Sequence, residues 1–153
     1  MQEFFIENGD LILKLILSVV LGSLIGAERL FVRSEAGMKT HALVSLGSAV
    51  FVLVSTSLYL QSGGNFDVSR MASQVIVGIG FLGAGSIMLT GSHVKGLTTA
   101  GGLWVTAGIG MSVGFGLYNL AIITTSLVLI VYIMMNIIER PIIKISKDNF
   151  DQE

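Results

Sequence analysis

Apolar positions in this chain come in long unbroken blocks, with none of the alternation or heptad spacing of a water-facing fold. No Asp, Glu, Lys or Arg occurs between Thr40 and Phe66, between Met71 and Val94, or between Gly96 and Ile138. About 20 apolar residues cross the hydrocarbon core as a helix, and in lipid each segment must satisfy its own backbone polar groups. The pattern therefore predicts a first span from about Leu11 to Ala27, stopped by Glu28-Arg29. A second runs from about Thr40 to Leu60 and breaks at Gln61-Ser-Gly-Gly-Asn65. A third begins at Arg70 or Met71 and ends near Leu89, with a short turn over residues 90–96. As a single helix, the last block would be about 65 Å long, roughly twice the bilayer core, so it must fold back. Two glycines make Gly114-Phe-Gly-Leu-Tyr-Asn119 the expected corner, and the fifth span ends at Glu139-Arg140-Pro141. The expected fold is an all-α polytopic membrane bundle of five transmembrane helices over residues 1–141. Residues 142–153 follow as a short cytoplasmic tail.

Composition agrees. Of 153 residues, 52% are hydrophobic and 12% charged, where a soluble domain carries about 25% charged residues to solvate its surface. The first ten residues hold Glu3, Glu7 and Asp10 but no Lys or Arg, the reverse of a signal peptide's basic n-region. Basic residues set the orientation. With the N-terminus outside, Arg29, Arg33, Lys39, Lys95, Arg140, Lys144 and Lys147 face the cytosol, against only Lys14 and Arg70 outside. That distribution predicts N-out, C-in insertion.

Charge and motif content also remove whole classes of function. A net charge of −1 gives no electrostatic case for nucleic acid. The absence of cysteine excludes disulfides, thiolate nucleophiles and thiolate metal centres. Neither a Walker A sequence, an H-E-x-x-H motif nor a helically spaced carboxylate pair is present, so enzymatic chemistry has no support and no cofactor is expected. Gly78-Ile-Gly-Phe-Leu-Gly83 matches G-x-G-x-x-G, but it sits inside a span with no preceding strand, so it is not a nucleotide loop. Nor does any cluster of oxygen ligands define a magnesium site within one chain; a metal site stays undetermined.

Lipid-embedded helices hold together through small residues at close contacts and polar residues as adhesive. Nineteen glycines, mostly inside spans, fit that need. Ser18, Gly22 and Gly26 repeat every fourth residue, as do Gly102, Thr106, Gly110 and Gly114, while Gly78, Gly80, Gly83 and Gly85 narrow the third span. Close packing is the principal reading of these stripes, a glycine-lined path the other, and homodimerisation through them is an open expectation. On the second span His41, Ser45, Ser48 and Ser55 fall on one quarter of the helix. They form either an adhesive stripe or a hydrated vestibule entered past His41. Glu28 and Arg29 are a boundary ion pair that can be functional or can reach the interface. Arg70 and Gln74 share a face on the third span, and Asp67 before them is placed to cap it. Thr98, Thr99 and Trp104 open the fourth span, with the indole at interfacial depth.

Several of these runs together resemble the MgtC/SapB membrane family. They are Ile25-Gly-Ala-Glu-Arg29, Gly37-Met-Lys-Thr-His-Ala-Leu-Val-Ser-Leu-Gly-Ser48, Asp67 with Arg70 and Gln74 leading into Gly78-Ile-Gly-Phe-Leu-Gly-Ala-Gly85, and Val94-Lys-Gly-Leu-Thr-Thr-Ala100 with Leu103-Trp104. The likeness covers residues 10 to 140, in order. It implies a five-span bacterial inner-membrane protein tied to low-magnesium and acid-stress adaptation and, in pathogens, to survival inside macrophages. It also implies a regulatory role through membrane partners, since some members restrain the proton-translocating ATP synthase. The residues it carries over are Glu28, Arg29, Lys39, His41, Asp67, Arg70, Gln74, Lys95, Thr98, Thr99 and Trp104. This sequence departs from the pattern at Lys39, where Arg is usual, and at Val68, where Pro is common; Leu89-Thr90 lacks an Arg often found near there. Many relatives carry a cytosolic ACT-like domain after the fifth span, and the resemblance here is to the membrane portion alone. The expected function is a regulator working by lateral contact, with a magnesium or other cation transporter or channel as the alternative.

Overall fold

The computed structural model describes residues 8–150, with side chains for residues 8–139. Glu3 and Glu7, and the side chains of Arg140, Lys144 and Lys147, lie outside that description. Five helices follow one another: α1 (Gly9–Phe31), α2 (Met38–Gln61), α3 (Val68–Gly85), α4 (Leu97–Gly114) and α5 (Tyr118–Phe150). A small hairpin, β1 (Met88–Thr90) with β2 (His93–Lys95), joins α3 to α4.

Helix α4 is the hub. It packs against each of the other four, and α1 lies along α2, while α3 rests on α2 and α4 and α5 on α4 and α1. Two apolar cores meet along α4. One gathers Val44, Val75 and Ile79 around Leu103 and Ala107; the other gathers Leu21, Ile25 and Ala121 around Ile109 and Val113. Glycines set the spacing. A Cβ on Gly26 would lie 2.5 Å from the Met38 Cα, and one on Gly22 2.6 Å from the His41 carbonyl oxygen, so α1 and α2 touch backbone to backbone. On α4, Gly110 meets the Ser45 backbone in the same way, and Gly114 meets the Val52 side chain and the Ala49 carbonyl.

Among the described residues four helices are long and apolar enough to cross a membrane, namely α1, α2, α3 and the Tyr118–Glu139 part of α5. Helix α4 is not among them. Its glycines and threonines lower its hydropathy, which a helix surrounded by others tolerates because little of it must face lipid. Boundaries differ from expectation in three further places. Helix α1 runs past Glu28-Arg29 to Phe31, because those charges find partners inside the bundle and do not have to end the helix. Helix α3 stops at Gly85, where the Ser86 hydroxyl donates to the Gly83 carbonyl at 2.7 Å, and residues 88–95 pair as a hairpin turning on Gly91 at φ +63°. Helix α5 continues through Pro141 to Phe150.

Candidate functional site: a buried polar cluster at one end of the bundle

The last turn of α1 and the first turn of α2 meet at the same end of the molecule. Both charges of the Glu28-Arg29 pair turn inward there, with side chains only 12% and 7% exposed. Arg29 binds the Glu28 carboxylate through Nε and Nη2. The other carboxylate oxygen of Glu28 accepts from the Asn136 amide of α5 at 2.9 Å. The Arg29 guanidinium also lies over the Tyr132 ring, 3.5 Å from its centroid, a cation–π contact that desolvation strengthens. Asn136 and Tyr132 are one helical turn apart on α5, so one face of that helix answers both charges.

A second layer lies beside them. The His41 imidazole is fully buried on α2, and its Nδ1 is 2.9 Å from the Thr106 hydroxyl of α4. Thr106 donates its own proton to the Gly102 carbonyl at 2.8 Å. Its oxygen is then left to accept, an arrangement that matches an imidazole donating from Nδ1. Nε2, Ser45 Oγ and Ser48 Oγ are buried without a hydrogen-bond partner. A Cβ on Gly102 would collide with the Tyr132 hydroxyl and lie 3.3 Å from the His41 ring, so the missing side chain lets the two aromatic groups approach. One residue further round the same end, Ser34 and Thr99 share a 3.0 Å hydroxyl contact that ties the α1–α2 loop to α4.

The structure thus brings together Glu28, Arg29 and His41 from the sequence reading, buries Ser45, Ser48, Ser55 and Thr99, and adds Thr106, Tyr132 and Asn136. The remaining residues are placed elsewhere. Lys39, Lys95 and Thr98 are exposed, and Trp104 is exposed on the outer side of α4. Ser55 donates to the Val68 carbonyl at 3.2 Å, where it fastens the start of α3. Asp67 caps α3: its Oδ1 accepts from the Ser69 hydroxyl at 2.7 Å and from the Ser69 amide at 2.9 Å. Those two bonds, the hydroxyl's first, hold its carboxyl below the usual carboxylate range. Arg70 and Gln74 do share a face, on the groove between α2 and α3. Among the described residues no three His, Asp or Glu side chains converge as a metal cluster.

At the opposite end of the bundle lies a second tie, of which only the i,i+4 spacing of Asp10 and Lys14 is visible in the sequence. Lys14 pairs with Asp10 at 2.7 Å, and the Tyr118 hydroxyl donates to Asp10 at 3.0 Å, joining the beginnings of α1 and α5.

Comparison with known proteins gives one consistent family. The MgtC family profile matches residues 15–141. The protein "MgtC" of Salmonella typhimurium (strain LT2) is 45% identical over 124 residues, covering 81% of this chain and 52% of its own length. "Putative magnesium transporter YhiD" of Escherichia coli (strain K12) is 42% identical over 129 residues, covering 81% of this chain and 60% of its own. "MgtC" of Brucella abortus (strain 2308) is 40% identical over 126 residues, covering 82% and 50%. The chain therefore spans between half and three-fifths of the length of these relatives. No solved structure matches.

Proposed function

This chain belongs to the MgtC family, and from that premise we propose that it is a regulator in the bacterial cytoplasmic membrane. In this reading it serves magnesium homeostasis and adaptation to low magnesium or acid stress. It acts by lateral helix contact with a membrane-protein complex, of which the proton-translocating ATP synthase is the example the family suggests. It carries out no chemistry of its own. It inserts N-out and C-in, the orientation that turns the end bearing Arg29, Arg33, Lys39 and Lys95 to the cytosol.

The observation that supports a regulator over a conduit is the internal compensation of the polar cluster. Glu28 is the interior carboxylate among the described residues, and Arg29 and Asn136 already engage both of its oxygens. Helices α1, α2 and α4 beside it cross at glycine contacts that leave no room for a Cβ. Gly22 and Gly26 of α1 and Gly102, Gly110 and Gly114 of α4 are spent on those internal crossings. Gly78, Gly80 and Gly85 on α3, together with Gly101 and Gly108 on α4, face open space and remain available for a partner or a second copy.

Transport of magnesium is the second reading, favoured by the name of the Escherichia coli relative and by the unpartnered polar atoms of His41, Ser45 and Ser48. Flux measured on the purified chain in liposomes separates the two. The regulator reading expects no Mg²⁺ entry above that of empty vesicles. Saturable entry that disappears in Glu28→Gln would replace it with the transporter.

A further inference from the structure

The hairpin between α3 and α4 has two unlike faces. Its strands pair Met88 with Lys95, Leu89 with Val94 and Thr90 with His93. Side chains alternate across a ladder, so Leu89 and Val94 share one face while Met88, Thr90, His93 and Lys95 share the other. Met88 lines a crevice with Glu35, Thr40, Thr99 and Leu103, so its face is turned toward the bundle. Leu89 and Val94 are then turned away from it, and they are 74% and 53% exposed. A two-stranded hairpin is marginal in water by itself and gains stability when an apolar face is covered.

Helix length sets the depth of that apolar face. Helices α3 and α4 have 18 residues each, against 23 in α1 and 24 in α2. At about 1.5 Å per residue, 18 residues rise roughly 27 Å, short of a hydrocarbon core of about 30 Å, and any tilt shortens the crossing further. Counted from Arg70, the charge at the far end of α3, Gly85 comes only about 22 Å in. The missing length, about 8 Å, is within reach of the few residues that lead to Leu89, at up to about 3.3 Å each. Leu89 and Val94 therefore arrive where acyl chains give way to headgroups. Gly96 fixes the attachment, since at φ +89° it lies so close to the Ser86 carbonyl that a Cβ would overlap it. The ladder has only two strands, so unpaired N–H and C=O groups line its outer edges. Those groups keep the hairpin out of the hydrocarbon interior and are satisfied among headgroups and water.

We propose that the Leu89–Val94 face of the hairpin is a membrane-contact surface, seated at the headgroup–acyl boundary of the leaflet at this end of the bundle. The two apolar side chains enter the acyl region, while Thr90, His93 and the Gly91-Ser92 turn stay among headgroups and water. Amphipathic elements rest in an interface by the same division of faces. The contact continues the outer surface of α3, whose Phe81 and Leu82 near the same end are also exposed. It holds for a chain that regulates and for one that conducts, and for either orientation in the bilayer.

Nitroxide labels on the cysteine-free chain test this. Leu89→Cys, Val94→Cys, Thr90→Cys and His93→Cys are each labelled in the full chain and placed, a single copy per disc, in nanodiscs of phosphatidylethanolamine and phosphatidylglycerol. All four positions are exposed, so the bundle is undisturbed. The measured quantity is the ratio of label collisions with oxygen, which concentrates in acyl chains, to collisions with a water-soluble nickel chelate. That ratio is expected to be at least about threefold higher at positions 89 and 94 than at 90 and 93, as for an element lying in the interface. Equal ratios, with the chelate reaching all four, would put the hairpin in water and overturn the proposal. Shielding of 89 and 94 from both reagents would overturn it too, because protein would then cover the face. If that shielding arises only in vesicles holding many copies, with dipolar broadening between labels, the face belongs to a second copy and not to lipid.

Discussion

At the scale of single residues, the cost of ions in a low-dielectric interior decides what can be changed. Glu28 and Arg29 are each compensated by the other and by α5, so removing one leaves an unanswered charge. Glu28→Gln should destabilise the bundle by about 3 kcal/mol, the usual cost of breaking a buried pair from one side. Glu28→Gln combined with Arg29→Met should recover part of that loss in a double-mutant cycle read by thermal melting in detergent. Asp67 follows the opposite rule, because its carboxylate is solvent-exposed. Its cap on α3 is present at neutral pH and is lost as pH falls through its lowered folded value, so Asp67→Ala should flatten the acid limb of a melting-temperature profile and Asp67→Asn should keep the cap. The sequence showed Glu28 and Arg29 as a pair and Asp67 as a cap, since local spacing carries both. It could not show Tyr132 and Asn136 as their partners, because those lie more than a hundred positions along the chain and only the packing of α5 brings them near.

Among the elements, glycine position sorts contact from surface. Gly26→Val would drive a side chain into the Met38 backbone, which cannot rotate away, and should cost about 1–3 kcal/mol or more. Gly80→Ala meets nothing and should be neutral or slightly stabilising through helix propensity. The two melting curves, compared in one detergent, check the assignment of α1–α2 as a close crossing. From sequence the glycines of α1 and α3 read alike, because small residues inside a span suit an internal crossing and an external face equally. The number of helices was legible from hydropathy, and so was the inward stripe of His41, Ser45, Ser48 and Ser55. The early end of α3 and the hairpin over residues 88–95 were not, because Ile87, Met88 and Leu89 are apolar enough to extend a span on paper. The α2–α3 cleft escaped for a related reason. It depends on how far two helices splay, and hydropathy carries no record of that.

For the molecule as a whole, the two ends differ in what they offer. One gathers the basic loop, the hairpin and the Glu28–Arg29 cluster, and the other carries the Asp10–Lys14–Tyr118 tie. Because the chain has no cysteine, single substitutions report sidedness cleanly. With the proposed insertion, Ser92→Cys should react with an impermeant maleimide only after the cells are opened, and Ser62→Cys should react from outside. The reverse pattern would invert the map of which groups meet the cytosol. The central place of α4 also bears on how the protein is made. Helix α4, which falls outside the four candidate spans, leaves the ribosome fourth, after three of its four neighbours. Its insertion is then a docking event more than a partitioning event. Deleting α3 should strand α4 on the aqueous side of the translocon, although α4's own sequence is unchanged.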